Sequence, residues 1–147
     1  MRRLFTAAAA TLALTACSGT DSGGSAPSNG DAGTDATATA PSAFETDIAP
    51  IIATSCVTCH LTGQEAGNMA LVPAKVRESL VDVPAVGAPG LQRVVPGDPD
   101  KSYLVMKLEG TQLEHGGTGA RMPFGNPPLP AEQIAKIRQW IANGAKP

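Results

Sequence analysis

Residues 44–147 predict an all-α fold, a small domain of three to four helices joined by long irregular loops. Three observations carry this reading. Ile134, Ile137, Trp140 and Ile141 form an apolar stripe at helical spacing, and Gly144 follows as a stop. Asp98 and Pro99 read as a helix start, with Gly110 as its end. Residues 117–130, "GTGARMPFGNPPLP", hold too much Gly and Pro for a helix or a central strand.

The 147-residue chain opens "MRRLFTAAAATLALTAC". Arg2 and Arg3 precede a short apolar run, residues 4–16, which reads as a secretion signal rather than a lasting transmembrane helix. The "LTAC" at its end resembles the lipobox of bacterial lipoproteins. That resemblance implies removal of residues 1–16 and lipidation of Cys17; an ordinary signal peptide with an incidental cysteine is the plain alternative. Ser18 follows Cys17 where an Asp tends to hold lipoproteins in the inner membrane, so an outer-membrane location is permitted. Together, several acyl chains give stable anchoring where one alone is marginal.

Residues 18–43 contain Gly, Ser, Ala, Thr, Pro and Asp but no large apolar side chain, so little offsets the entropy of ordering them. They read as a flexible tether with ends ~25–30 Å apart. The folding domain is therefore residues 44–147. It is poor in aromatics, with one Trp and one Tyr in the chain, consistent with a core whose largest apolar body is not an amino acid. A net charge of −2 shows no nucleic-acid footprint, and no basic membrane-binding helix is visible.

The first helix is expected over about residues 45–55, with Ile48, Ile51 and Ile52 on one face and Pro50 near its first turn. Next comes "CVTCH", residues 56–60. With Cys17 lipidated, Cys56 and Cys59 are the remaining cysteines. A disulfide between them closes too small a loop to staple a fold. Zinc would need Cys56, Cys59, His60 and His115 without the usual spacings. A thioredoxin-like dithiol needs a βαβ frame that is not evident. The remaining reading is covalent haem attachment: two thiols three apart meet the two vinyl groups of one porphyrin, and the adjoining His60 ligates the iron.

A closed electron carrier needs a second axial ligand. Met69, Met106, Met122 and His115 are the candidates. Met106 falls in a helical pattern and suits a core. Met69 follows His60 closely. Met122 precedes Pro123 in an irregular loop suited to presenting a thioether, and is preferred; His115, Met69 and an open position remain the alternatives.

Taken together, "CVTCH", the "RMP" loop and the terminal "EQIAKIRQWIANGA" helix resemble a class I cytochrome c domain. "VVPGDPDKSYL" narrows the likeness to small monohaem modules of environmental bacteria. The resemblance covers residues 44–147. It implies a cytochrome c fold around one covalent haem c, with Cys56 and Cys59 as thioether anchors, His60 as proximal ligand and Met122 as distal ligand. Pro130 departs from the Ser or Thr often found at the start of the last helix.

Within that frame a short helix is expected over residues 73–80, and residues 84–97 should wrap the haem edge. Arg93 is a candidate donor to a haem propionate, or else a solvated surface arginine; Tyr103 is a weaker candidate. Trp140 should pack on the N-terminal helix with an edge near the haem. The functional expectation is a monomeric, membrane-tethered electron carrier rather than an enzyme, on the periplasmic side or cell surface, meeting redox proteins at an exposed haem edge. The alternatives are a catalytic or gas-binding haem domain with an open iron position, and an electron-transfer subunit of a larger dehydrogenase or oxidase.

Overall fold

The structure is a computed structural model, described here over residues 40–147. The expected signal peptide, Cys17 and the tether up to residue 39 lie outside the described residues. The all-α expectation holds for the rest: four α-helices with short 3-10 and π-helical turns, and among the described residues only isolated β-bridges.

The chain enters the fold through reciprocal bonds between Ser42 and Glu45. The Glu45 carboxylate accepts from the Ser42 amide (2.8 Å), and the Ser42 hydroxyl accepts from the Glu45 amide (3.2 Å). This is the capping-box device, which satisfies donors that a helix start leaves unpaired. A π-helical segment, Phe44–Ile48, then runs into α1, Ala49–Ser55. Pro50 sits in the first turn of α1, where its missing N–H costs least.

Helix α2 is Val76–Leu80, shorter than expected because residues 73–75 form a turn instead. Both its end residues are fully buried. Residues 81–95 double back, with the Ala85 amide on the Leu91 carbonyl (2.9 Å) and the Arg93 amide on the Val83 carbonyl (2.7 Å).

The helix expected from Asp98 to Gly110 is broken. Asp98 caps a 3-10 turn, Pro99–Lys101, by accepting from the Lys101 amide (3.1 Å). Ser102 is extended, and α3 spans Tyr103–Glu109. Competing bonds explain the break. The Ser102 hydroxyl donates to the Asp98 carbonyl (2.8 Å) and accepts from the Val95 amide (2.9 Å). The Tyr103 and Leu104 amides donate to the Gln92 and Arg93 carbonyls rather than along a helix. Gly110, in left-handed conformation (φ +83°), ends α3 as expected.

Helix α4 is Ala131–Ala142. Pro130 replaces a side-chain cap with its own carbonyl, which accepts from the Gln133 and Ile134 amides. Ile137, Trp140 and Ile141 are buried, and Gly144 (φ +92°) turns the chain. One apolar core joins Ile48 and Ile52, Leu80, Val94, Val105, Ile137 and Ile141. Burying one such side chain contributes about 1.5–3 kcal/mol. Trp140 packs on Phe44 with ring centroids 5.5 Å apart, and its indole N–H donates to the Lys146 carbonyl (2.7 Å). Among the described residues, no helix is long and apolar enough to cross a membrane.

Candidate cofactor site

Helix α1 delivers the "CVTCH" string into one tight turn. The Cys56 amide still donates to the Ile52 carbonyl (2.9 Å), and a 3-10 turn spans Val57–Cys59. The His60 amide then donates to the Cys56 and Val57 carbonyls (3.1 Å each). This winding presents Cys56, Cys59 and His60 to a single cavity of about 420 Å³. The volume lies within the ~300–1,000 Å³ usual for cofactor and small-molecule sites. Both thiols are free.

Further walls come from Leu71 and, in α2, Leu80, from the doubled-back Ala85, Val86 and Gly87, and from Leu104 and Leu108 of α3. Met122, Pro123 and Phe124 come from the irregular loop. No Asp or Glu lines the cavity, whereas Arg93 and Lys107 do. It is thus an apolar chamber with two cationic side chains. Phe124 and Val86 stay 70% and 60% exposed, leaving an apolar rim at the surface.

Of the four residues weighed as a second axial ligand, Met122 and Met69 line this cavity. Met106 does not; it is buried with Ala85, Ala88 and Tyr103, a core residue as expected. His115 is exposed at the end of a 3-10 turn, Gln112–His115, and does not line the cavity either. Both backbone groups of Met122 are held. Its amide donates to the Lys107 carbonyl (2.8 Å), and its carbonyl accepts from Arg121 (3.0 Å).

Arg93 is not a solvated surface residue: only 6% of it is exposed. Its guanidinium donates to the carbonyls of Ser79 (2.6 Å), Gly67 (2.6 Å) and Asn68 (3.2 Å). It thereby pins the loop after His60 to α2. Its Nε is buried without a hydrogen-bond partner. Tyr103 also lines the cavity, but its hydroxyl already serves the loops, at 3.2 Å from the Gly87 carbonyl and 3.1 Å from that of Thr118. Trp140 is not part of the lining; it keeps its place against Phe44 and brings no edge to the cavity.

Burial, and secondarily the neighbouring Cys59, push the Cys56 thiol up to about 11. A dithiol oxidoreductase instead depends on a depressed thiol. Burial also lowers the His60 pKa; Glu65 opposes this and Arg93 adds to it, so the ring is neutral near pH 7 and keeps a lone pair for a metal. His60 Nδ1 is buried with no partner. Such an orphaned polar atom costs about 1–3 kcal/mol unless something in the finished protein engages it. Among the described residues, no group of three or more His, Cys, Asp or Glu is placed to hold a metal ion by itself. The zinc arrangement with His115 therefore has no geometric basis.

Some site residues were not legible in the sequence. Lys107 donates to the Thr118 carbonyl (3.1 Å) and to that of Ala120, and Gln112 donates to the Gly119 carbonyl (2.8 Å). Gly117 lies so close to Tyr103 that a Cβ there would sit 2.5 Å from its ring. The glycine-rich loop composition hinted at close approach, but the partners are set by the fold. In the loop after His60, Glu65 accepts from the Thr62 amide and hydroxyl and the Gly63 amide. Desolvation works against its ionisation, but these bonds outweigh it and hold the carboxyl at about 2.

The donor set fits a covalently held haem: two thiols one turn apart, a neutral imidazole, a loop thioether, an apolar chamber and two cations without facing carboxylates. No family model matches the chain, and no curated protein and no solved structure matches it.

Proposed function

We propose that residues 44–147 form a monohaem c-type cytochrome of the class I kind, which passes single electrons between protein partners without transforming a substrate. One observation carries this reading: Cys56, Cys59, His60 and Met122 line a single apolar cavity whose charged residues are Arg93 and Lys107. Bound there, haem c would supply a one-electron Fe(III)/Fe(II) couple. Cys56 and Cys59 would hold it through thioethers, and His60 and Met122 would be its axial ligands. A Met thioether opposite an imidazole favours a higher potential than two imidazoles would. The apolar walls exclude water. Arg93 lines the cavity with an Nε that no protein group engages, and would be the donor to a propionate. Phe124 and Val86 at the rim offer a small apolar surface for brief encounters with redox proteins.

The anchor belongs to the same proposal and rests on the N-terminal sequence alone. Cys17 would carry the lipid, residues 18–43 would act as tether, and the domain would work on the periplasmic side of the membrane or at the cell surface.

The protein is to be produced with a c-type maturation system and its mass measured after denaturation. A retained haem mass in the parent, lost in a Cys56→Ser, Cys59→Ser double variant, supports the reading. A parent chain without covalent haem refutes it. Membrane fractionation of Cys17→Ser tests the anchor; a variant still fully membrane-bound would overturn that part.

A further inference from the structure

Helix α3 reaches the loop that carries Met122 through two side chains: the Tyr103 hydroxyl meets Thr118, and Lys107 reaches further, to both sides of Arg121. Lys107 Nζ donates to the Thr118 carbonyl at 3.1 Å and to the Ala120 carbonyl, while the Lys107 backbone carbonyl accepts from the Met122 amide at 2.8 Å. These three bonds bracket Arg121 and tie down the chain on both sides of it. Among the described residues no carboxylate pairs with this ammonium. Its ring contact, 5.9 Å from the centroid of Tyr103, keeps the stem against the same wall of the cavity. A lysine kept only for solubility would extend into water, where its side-chain entropy is retained.

We propose that Lys107 is the positioning residue for Met122, holding the loop so that the thioether is presented to the cofactor at high effective concentration. The inference rests on reading His60 and Met122 as axial ligands of a covalent haem. A thioether is a neutral, weak ligand, so its occupancy of a metal depends on how well its backbone is pre-organised. Loss of the Lys107 ammonium frees the Ala120 carbonyl and leaves that of Thr118 to Tyr103 alone, so the segment that carries Met122 can move away. An external ligand then competes for the position the thioether leaves.

The test uses the full-length, haem-loaded protein and four variants: Lys107→Met, which keeps the stem but loses the donors; Lys107→Gln, which keeps one amide donor; Lys107→Arg, which keeps donors and charge; and Lys136→Met, which removes a distant surface charge. Lys107→Met should retain covalent haem by mass. It should lose at least half of the weak red absorption band of methionine-ligated ferric haem and bind added imidazole about tenfold more tightly. Lys107→Gln should fall between, Lys107→Arg should restore the parent values, and Lys136→Met should match the parent. Amide exchange at Met122 should rise about tenfold in Lys107→Met. A parental band, imidazole affinity and Met122 exchange rate in Lys107→Met or, if that variant does not mature, in Lys107→Gln would overturn the proposal. So would an equal effect from Lys136→Met. Absence of covalent haem in the parent would strike instead at the functional reading; Met122 exchange would still report whether Lys107 grips the loop.

Discussion

Gly117→Ala is the sharpest test of how the loop beside the cavity is built. A Cβ added at residue 117 would lie 2.5 Å from a Tyr103 ring carbon, 2.8 Å from the Tyr103 hydroxyl oxygen and 2.8 Å from the Gln112 carbonyl oxygen. None of these can step aside cheaply. Tyr103 is buried, with its hydroxyl bonded to the Gly87 and Thr118 carbonyls. The Gln112 carbonyl accepts from the Gly117 amide itself at 2.8 Å. Overpacking of this kind costs about 1–3 kcal/mol. Displacing the tyrosine adds about 0.5–1.5 kcal/mol for a disturbed hydrogen bond. The expected loss is therefore about 1.5–4.5 kcal/mol. Urea unfolding measures it: at a slope of ~1.5 kcal/mol/M, the midpoint should fall by about 1–3 M. The cause is isolated by repeating the substitution in a Tyr103→Leu background, where alanine at 117 should cost at least about 1 kcal/mol less. A single variant within about 0.5 kcal/mol of the parent, or the same cost in both backgrounds, would refute the reasoning.

Three other outcomes are expected. Arg93→Met should leave the Ser79, Gly67 and Asn68 carbonyls without their charged donor, costing about 2–4 kcal/mol in denaturant unfolding. Amide exchange should rise first at Leu71, whose N–H closes the loop on the His60 carbonyl (2.7 Å). Trp140→Ala should cost about 3–5 kcal/mol in thermal or urea unfolding, since it removes the partner of Phe44 from the core. Glu65 has a folded pKa of about 2, depressed from an ordinary 4.5. Its contribution is thus fully present above pH 4.5 and is lost as pH falls toward 2. Stability measured against pH should show a smaller acid-side slope in Glu65→Gln than in the parent; identical slopes would count against those loop bonds.

Much of the helical frame was readable from local signals. The Ile134, Ile137, Trp140 and Ile141 stripe with its Gly144 stop became α4 nearly residue for residue, because repeating apolar spacing and the ease with which glycine takes a positive φ act within a few positions. The long helix expected after Asp98 failed at Ser102, where propensity lost to bonds with Val95, Gln92 and Arg93, segments that only the folded chain brings alongside. Arg93 was similarly ambiguous: an arginine between Gln92 and Val94 carries no mark of whether it will face water or three backbone carbonyls. Ser42 and Glu45, by contrast, form a capping signature of local range, three residues apart.

For the site, the sequence by itself determined the chemistry on offer. "CVTCH" sets two thiols and an imidazole within one turn, since five consecutive residues have few ways to wind. The tertiary structure decided which distant groups share that chamber. Met122 and Met69 reach it while Met106 and His115 do not, and Arg93 and Lys107 supply its cations. The physical reason is range. Spacing along a chain governs neighbours within a turn, whereas convergence of residues 60 and 122 depends on α3, whose carbonyl and ammonium at Lys107 hold the Met122 loop in place.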